Sequence, residues 1–101
     1  MDINITNDEG RVVVGLSGRL DNNTAPLLQD AFTEMGEDVY KTDITMDFSA
    51  LDYVSSAGLR VLLFLQKKTL AAKGSLQVKN LCPTVLEVFE MTGFSAVLDI
   101  I

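Results

Sequence analysis

Between Asp43 and Gly74 the hydrophobic pattern changes period once, and that change limits what the chain can fold into. Ile44, Met46 and Phe48 alternate with polar residues, the mark of a half-buried strand over Asp43–Phe48. Beyond it, apolar residues recur at helical spacing over Leu59–Lys73, and Gly74 closes the run. The same alternation of strand and helix continues on both sides. Ile3–Thr6 and Arg11–Ser17 read as two strands joined by the polar turn Asn7-Asp8-Glu9-Gly10, a hairpin. Thr24 then offers a helix N-cap, Pro26 stands inside the first turn, and Ala25, Leu28, Ala31, Phe32 and Met35 follow at helical spacing. Ser75–Asn80 predicts another strand, Pro83–Met91 a third helix with Gly93 just past its end, and Ala96–Ile100 a last strand. Strands alternating with helices of this length give an α/β domain whose crossovers make part of the sheet parallel. No repeat, low-complexity tract or linker interrupts the chain, so residues 1–101 read as one domain with one core.

The change of period falls within Asp52–Leu63, Asp-Tyr-Val-Ser-Ser-Ala-Gly-Leu-Arg-Val-Leu-Leu. Ser55 and Ser56 stand where the helix begins. A serine there can accept a hydrogen bond from a free N–H of the first turn and act as a plain cap. The same place also suits a phosphate, because unpaired N–H groups and the positive end of the helix dipole converge on it.

At about 100° per residue, Leu59, Val61, Leu62, Leu63, Leu65 and Leu70 fill one wide arc of that helix, which the pattern assigns to the core. Arg60, Phe64, Lys67, Lys68 and Ala71 occupy the rest. Phe64 then lies in a basic, solvent-facing stripe that starts one turn beyond Ser56, either as an ordinary exposed aromatic or as an anchor for a partner. Asp21 and Asp47 each follow an apolar strand run, which points both at the rim that carries Ser56, although a turn at Asp21 and simple exposure at Asp47 would leave the same pattern. Asn22, Asn23 and Thr24 complete that rim. Cys82, before Pro83 in an apolar context, reads as a small packed residue rather than a reactive thiol.

Several function classes drop out on composition. There is no histidine and only one cysteine, which removes an internal disulfide, Ser-His chemistry and the usual zinc ligands, so neither a metal nor a cofactor is expected. A net charge of −6 argues against nucleic acid as a partner and favours a partner with a basic surface. No stretch approaches the roughly 20 apolar residues of a membrane span, and Met1-Asp2-Ile3-Asn4 lacks the features of a signal peptide, so a cytoplasmic protein without membrane insertion is expected.

Three features in order resemble the anti-sigma factor antagonists of the STAS family, named for sulfate transporters and anti-sigma antagonists. They are Gly18-Arg19-Leu20-Asp21-Asn22-Asn23-Thr24-Ala25, then Tyr53-Val54-Ser55-Ser56-Ala57-Gly58-Leu59, then Pro83, Val85, Phe89 and Gly93. The resemblance implies a mixed β-sheet with helices packed mainly on one face. It aligns Ser56 with the family's phosphoacceptor, with Asp21, Asn22, Thr24, Asp47, Ser55 and Gly58 around it and Arg60, Phe64, Lys67 and Lys68 toward a partner. Ser55 departs from the pattern, since that position often holds Asp. The function implied is a non-enzymatic partner switch in bacterial transcription. Unphosphorylated, the chain binds an anti-sigma factor that is also a serine kinase and so frees a sigma factor; phosphorylation breaks the complex, and a metal-dependent serine phosphatase restores it. The alternative is a STAS interaction subunit in a lipid- or anion-transport complex or a polysaccharide regulon. A nucleotide-binding or enzymatic role fits less well, because the chain has no Gly-x-x-x-x-Gly-Lys loop and few convergent basic groups.

Overall fold

The turn after Asp8 sets the sheet in motion. Its two residues Glu9 and Gly10 have φ of +45° and +83°, the left-handed pair that a tight hairpin of matching twist requires. Strand β1 (Asp2–Asp8) therefore pairs antiparallel with β2 (Arg11–Leu20). From there every strand is parallel to its neighbour: β3 (Asp43–Val54) lies beside β2, β4 (Ser75–Lys79) beside β3, and β5 (Asp99–Ile100) beside β4. The computed structural model describes residues 1–101, with strand order β1-β2-β3-β4-β5. Each crossover steps one strand in the same direction, and because such crossovers are right-handed, α1 (Ala25–Met35), α2 (Ser56–Ala71) and α3 (Pro83–Thr92) fall on one face of the sheet.

The sheet's inner face and the three helices share one core. Val12, Val14 and Leu16 of β2, Ile44, Met46 and Phe48 of β3, and Leu76 and Val78 of β4 are buried against Leu28, Phe32, Leu62, Leu65, Val85 and Phe89 of the helices. Phe89 meets Phe48 edge to face at a centroid distance of 6.4 Å, which ties α3 to the middle of β3. The outer face carries Arg11, Asp43, Thr45, Gln77 and Lys79 and has no helix on it.

Several expectations needed correction. Strand β3 does not stop at Phe48: two steps on β2 (Gly15 to Ser17) face three on β3 (Asp47 to Ala50), and a second shift follows at Gly18. Those irregularities change the phase of alternation, so that Leu51 and Val54 turn inward and the strand runs on to the serines. Helix α2 begins at Ser56 rather than Leu59 and ends at Ala71. Within it Leu70 is 65 % exposed, while Thr69, 1 % exposed, takes the core position and satisfies its hydroxyl on the Gln66 and Leu65 carbonyls. Phe94–Ala96 forms a 3₁₀ turn, which cuts the last strand to Asp99–Ile100 and leaves Leu98 buried but Val97 exposed. A further 3₁₀ turn, Glu37–Lys41, buries Val39 and Tyr40 under α1 and α2.

Candidate functional site

The ends of β2 and β3 deliver the two helix starts to one rim. Ser55 follows Val54, and its N–H donates to the Leu20 carbonyl at 2.8 Å, continuing the β2–β3 pairing to its last residue. The Ser55 backbone is still extended, so its hydroxyl turns over the first turn of α2 and accepts the Gly58 N–H at 3.2 Å. Ser56 is the first helical residue. It is exposed, and its hydroxyl makes no hydrogen bond within the chain. The adjacent serines thus have different occupations, one engaged as the cap and one free.

Gly58 explains why the helix can begin so close to the sheet. A Cβ there would lie 2.8 Å from Leu20 Cγ and 2.9 Å from the Leu20 carbonyl oxygen, closer than atoms of those kinds approach. Only glycine lets α2 sit down on the end of β2, and that contact holds Ser56 at the rim.

The start of α1 is built around Asp21. Its Oδ1 accepts the N–H groups of Asn23 and Thr24 at 3.0 and 3.1 Å. Thr24 does not cap α1 with its side chain, contrary to expectation. Its hydroxyl instead donates to the Arg19 carbonyl at 2.7 Å and accepts the Asp21 N–H at 2.8 Å, closing the turn that leads into the helix. Partial burial pushes the Asp21 carboxyl upward, the largest single influence. The hydrogen bonds from Asn23 and Thr24, with the Arg19 guanidinium nearby, together outweigh it and hold the group below its ordinary value. Asn22 completes the rim, with Oδ1 3.5 Å from the Ser55 hydroxyl.

Asp47 does not join them. It sits on the helix-free face of the sheet beside Gly15 and Ser17, where it accepts the Ser49 N–H at 3.0 Å and the Asn80 amide at 3.1 Å. Those two bonds, the Ser49 one first, lower its carboxyl. The outer part of β3, on the order of 20 Å at about 3.3 Å per residue, separates it from Ser56. The sequence pattern could not show this, because it placed the end of β3 just after Asp47.

Two concavities flank the serines. One is a polar cleft lined by Arg19, Asp21, Asn22, Asn23, Tyr53 and Ser55. In it Arg19 stacks on the Tyr53 ring at 4.1 Å and approaches Asp21 at 3.9 Å. The other is an apolar groove between α1 and α2 of about 300 Å³, lined by Asn22, Ala25, Pro26, Gln29, Ala57, Arg60, Val61 and Phe64. That volume lies at the lower end of the range for ligand sites, about 300–1,000 Å³. Phe64, 38 % exposed, forms its wall rather than standing free. Lys68 stays beside Phe64, its Nζ 5.9 Å from that ring, but it also bonds Glu37 at 2.9 Å and lies 5.2 Å from the Tyr40 ring, which pins α2 to the 3₁₀ turn. Arg60 and Lys67 remain exposed and form no ion pair. Sequence reasoning missed the Arg19–Tyr53 pair and the α1 wall of the groove. Arg19 and Tyr53 face each other only through the β2–β3 register.

No group of three His, Cys, Asp or Glu side chains is arranged to hold a metal, and no helix is long and apolar enough to cross a membrane.

Among known proteins, the chain is 32 % identical over 102 residues to BtrV of Bordetella bronchiseptica, described as a candidate anti-sigma factor antagonist, covering 99 % of this chain and 85 % of that protein. It is 25 % identical over 100 residues to the anti-sigma-B factor antagonist of Bacillus subtilis, covering 99 % and 90 %. In fold it matches the anti-sigma factor antagonist SpoIIAA in its unphosphorylated form, with a TM-score of 0.80 at 21 % identity over 99 % of this chain and 88 % of that one. The phosphorylated form of the Bacillus SpoIIAA matches with a TM-score of 0.74 at 20 % identity over 99 % and 91 %. The family model described as "Mlab, STAS domain" matches residues 3–99, all but two residues at each end, and on that match the chain belongs to the STAS domain family.

Proposed function

We propose that the chain is an anti-sigma factor antagonist working as a partner switch, with Ser56 as its phosphoacceptor. Unphosphorylated, it binds a cytoplasmic anti-sigma factor that is also a serine kinase, and so releases a sigma factor. That kinase transfers the γ-phosphoryl group of ATP to the Ser56 hydroxyl, leaving ADP and a proton, and the complex separates. A metal-dependent serine phosphatase returns the chain to its binding form. The chain itself performs no catalysis in this scheme.

One observation carries the reading: the Ser55 hydroxyl is engaged by Gly58 N–H while that of Ser56 is exposed and unbonded at the helix start. A kinase can take a hydroxyl that has no structural duty without unfolding its carrier. The groove wall formed by Arg60 and Phe64 begins one turn further along the same helix, so a group carrying about −1.5 to −2 charges at Ser56 would stand at the edge of the contact surface. BtrV and the anti-sigma-B factor antagonist both bear the antagonist name, which supports the same role.

The test starts with the unmodified chain as bait in a lysate of its own bacterium. Recovery of a protein with an ATP-binding serine kinase domain, followed by ATP-dependent labelling that maps to Ser56 and disappears in Ser56→Ala, is the expected result. A Ser56→Ala chain labelled as fully as wild type would overturn the acceptor assignment. Recovery of transport-complex subunits and no kinase would replace the sigma-factor reading with the transport alternative.

A further inference from the structure

Helical geometry puts one cation between Ser56 and the groove. Taking Ser56 as the origin at about 100° per residue, Arg60 lies at about 40°, Phe64 at about 80°, Ala57 at about 100° and Val61 at about 140°. The groove-lining residues of α2 thus occupy the arc from Arg60 to Val61, and Arg60 is the member closest to Ser56 in angle around the helix. Residues four apart on a helix have Cβ atoms about 5–6 Å apart, within easy reach of a guanidinium. Arg60 is exposed and takes no part in any of the three ion pairs of the molecule. The other candidates are less available. Lys67 is three turns away, Lys68 is held by Glu37, and Arg19 is stacked on Tyr53 and drawn to Asp21. Asp21 and Asp52 are the acidic groups near this end of the sheet, and neither is paired with Arg60.

We propose that Arg60 is the internal receiver of the phosphate: once Ser56 is phosphorylated, the Arg60 guanidinium swings out of the groove wall and forms a charge-assisted pair with the phosphoserine one turn before it. An acidic group placed four residues before a basic one is the favourable order on a helix, and Arg offers a fork that matches phosphate oxygens. The modification then acts twice on one surface, adding negative charge at its edge and withdrawing the cation that a partner's acidic or polar group would meet. The inference rests on Ser56 being the acceptor, yet its chemistry does not depend on which kinase modifies it.

The test installs phosphoserine at position 56 during translation, so that no kinase is needed, and follows the phosphate by ³¹P NMR through a pH titration. An ordinary phosphoserine has its second ionisation near pH 6. With Arg60 paired to the dianion, that ionisation should fall by about 0.3 units or more relative to the Arg60→Gln protein, the size expected of an i,i+4 ion pair. Arg60→Lys should restore part of the difference, and Arg19→Gln should leave it unchanged. Identical titrations in the wild-type chain and Arg60→Gln, both shown folded by circular dichroism, would overturn the proposal, as would a shift that follows Arg19 instead. Failure of a captured kinase to label Ser56 would count against the proposed function and leave this titration unaffected.

Discussion

The starts of α1 and α2 meet at one rim, 3.5 Å apart at Asn22 and Ser55, and are written in the same small polar residues. They differ in what is left over. At α1 the Asp21 carboxylate and the Thr24 hydroxyl are both engaged with backbone, on Asn23, Thr24, Arg19 and Asp21 itself. At α2 Ser55 alone meets the backbone requirement, and the next hydroxyl has nothing to do. A polar group tied to the backbone cannot be changed without loosening the turn it closes. A free one beside it can be modified at little structural cost, and that asymmetry separates a clamp from a candidate switch.

The largest effect expected of a test on this comparison lies at Gly58. Gly58→Ala drives a methyl into Leu20 and should destabilise the chain by about 3 kcal/mol, the upper part of the overpacking range, despite the better helix propensity of alanine. Urea denaturation measures it. A neutral result would mean that α2 does not depend on its close seat against β2, and the rigid placement of Ser56 would lose its basis.

Phe64→Ala follows. As a groove wall it should weaken partner binding by about 2 kcal/mol in calorimetric titration. It is only partly exposed, so a stability loss of about 1 kcal/mol should accompany that change. A loss of stability alone would put Phe64 with the core and move the contact surface elsewhere.

The two serines divide next. Ser55→Ala removes the cap and should lower stability by about 1 kcal/mol. The reverse pattern, in which Ser56→Ala is the costly change, would exchange the two roles and break the comparison at its centre.

Acid titration probes the α1 clamp. The Asp21 carboxyl is depressed in the folded chain, so its contribution is complete above the ordinary value near 3.8 and is lost as pH falls through the lower folded value. Asp47 behaves in the same sense. Asp21→Asn should therefore flatten the acid limb of a pH–stability curve while leaving the neutral limb parallel to wild type. A curve of unchanged slope below pH 4 would show the clamp to be weaker than its hydrogen bonds imply.

The smallest effect is at the candidate switch itself. Ser56→Ala should change stability by less than about 0.5 kcal/mol, as for an exposed residue free of special contacts. Chemical denaturation is sensitive enough to distinguish that from a lost cap.

Much of this was legible in the chain. The hairpin, the three helices, Gly93 at the end of α3 and the alternation that makes an α/β sheet follow from local periods and turn residues, which act over a few positions. The position of the serines at a helix start was legible for the same reason. The path of β3 beyond Phe48 was hidden because its bulges reset the alternation, and that error carried Asp47 to the wrong end of the sheet. Thr24 was misread because Ser, Thr and Asp can satisfy either the helix ahead or the turn behind, and only the approach of the Arg19 carbonyl decides between them. The partners of Lys68 were hidden because Glu37 and Tyr40 are distant in sequence and arrive through the 3₁₀ turn.

The amino-acid sequence by itself determined the order and type of the elements and the place of Ser55-Ser56-Ala57-Gly58 between them, because propensity, capping and hydrophobic period are local properties. Tertiary structure decided which hydroxyl is engaged and which is free, which cations are paired, and that a groove opens beside the free serine. Those outcomes depend on the seat of Gly58 against Leu20 and on the packing of α1 beside α2, contacts between residues that only the closed sheet brings together.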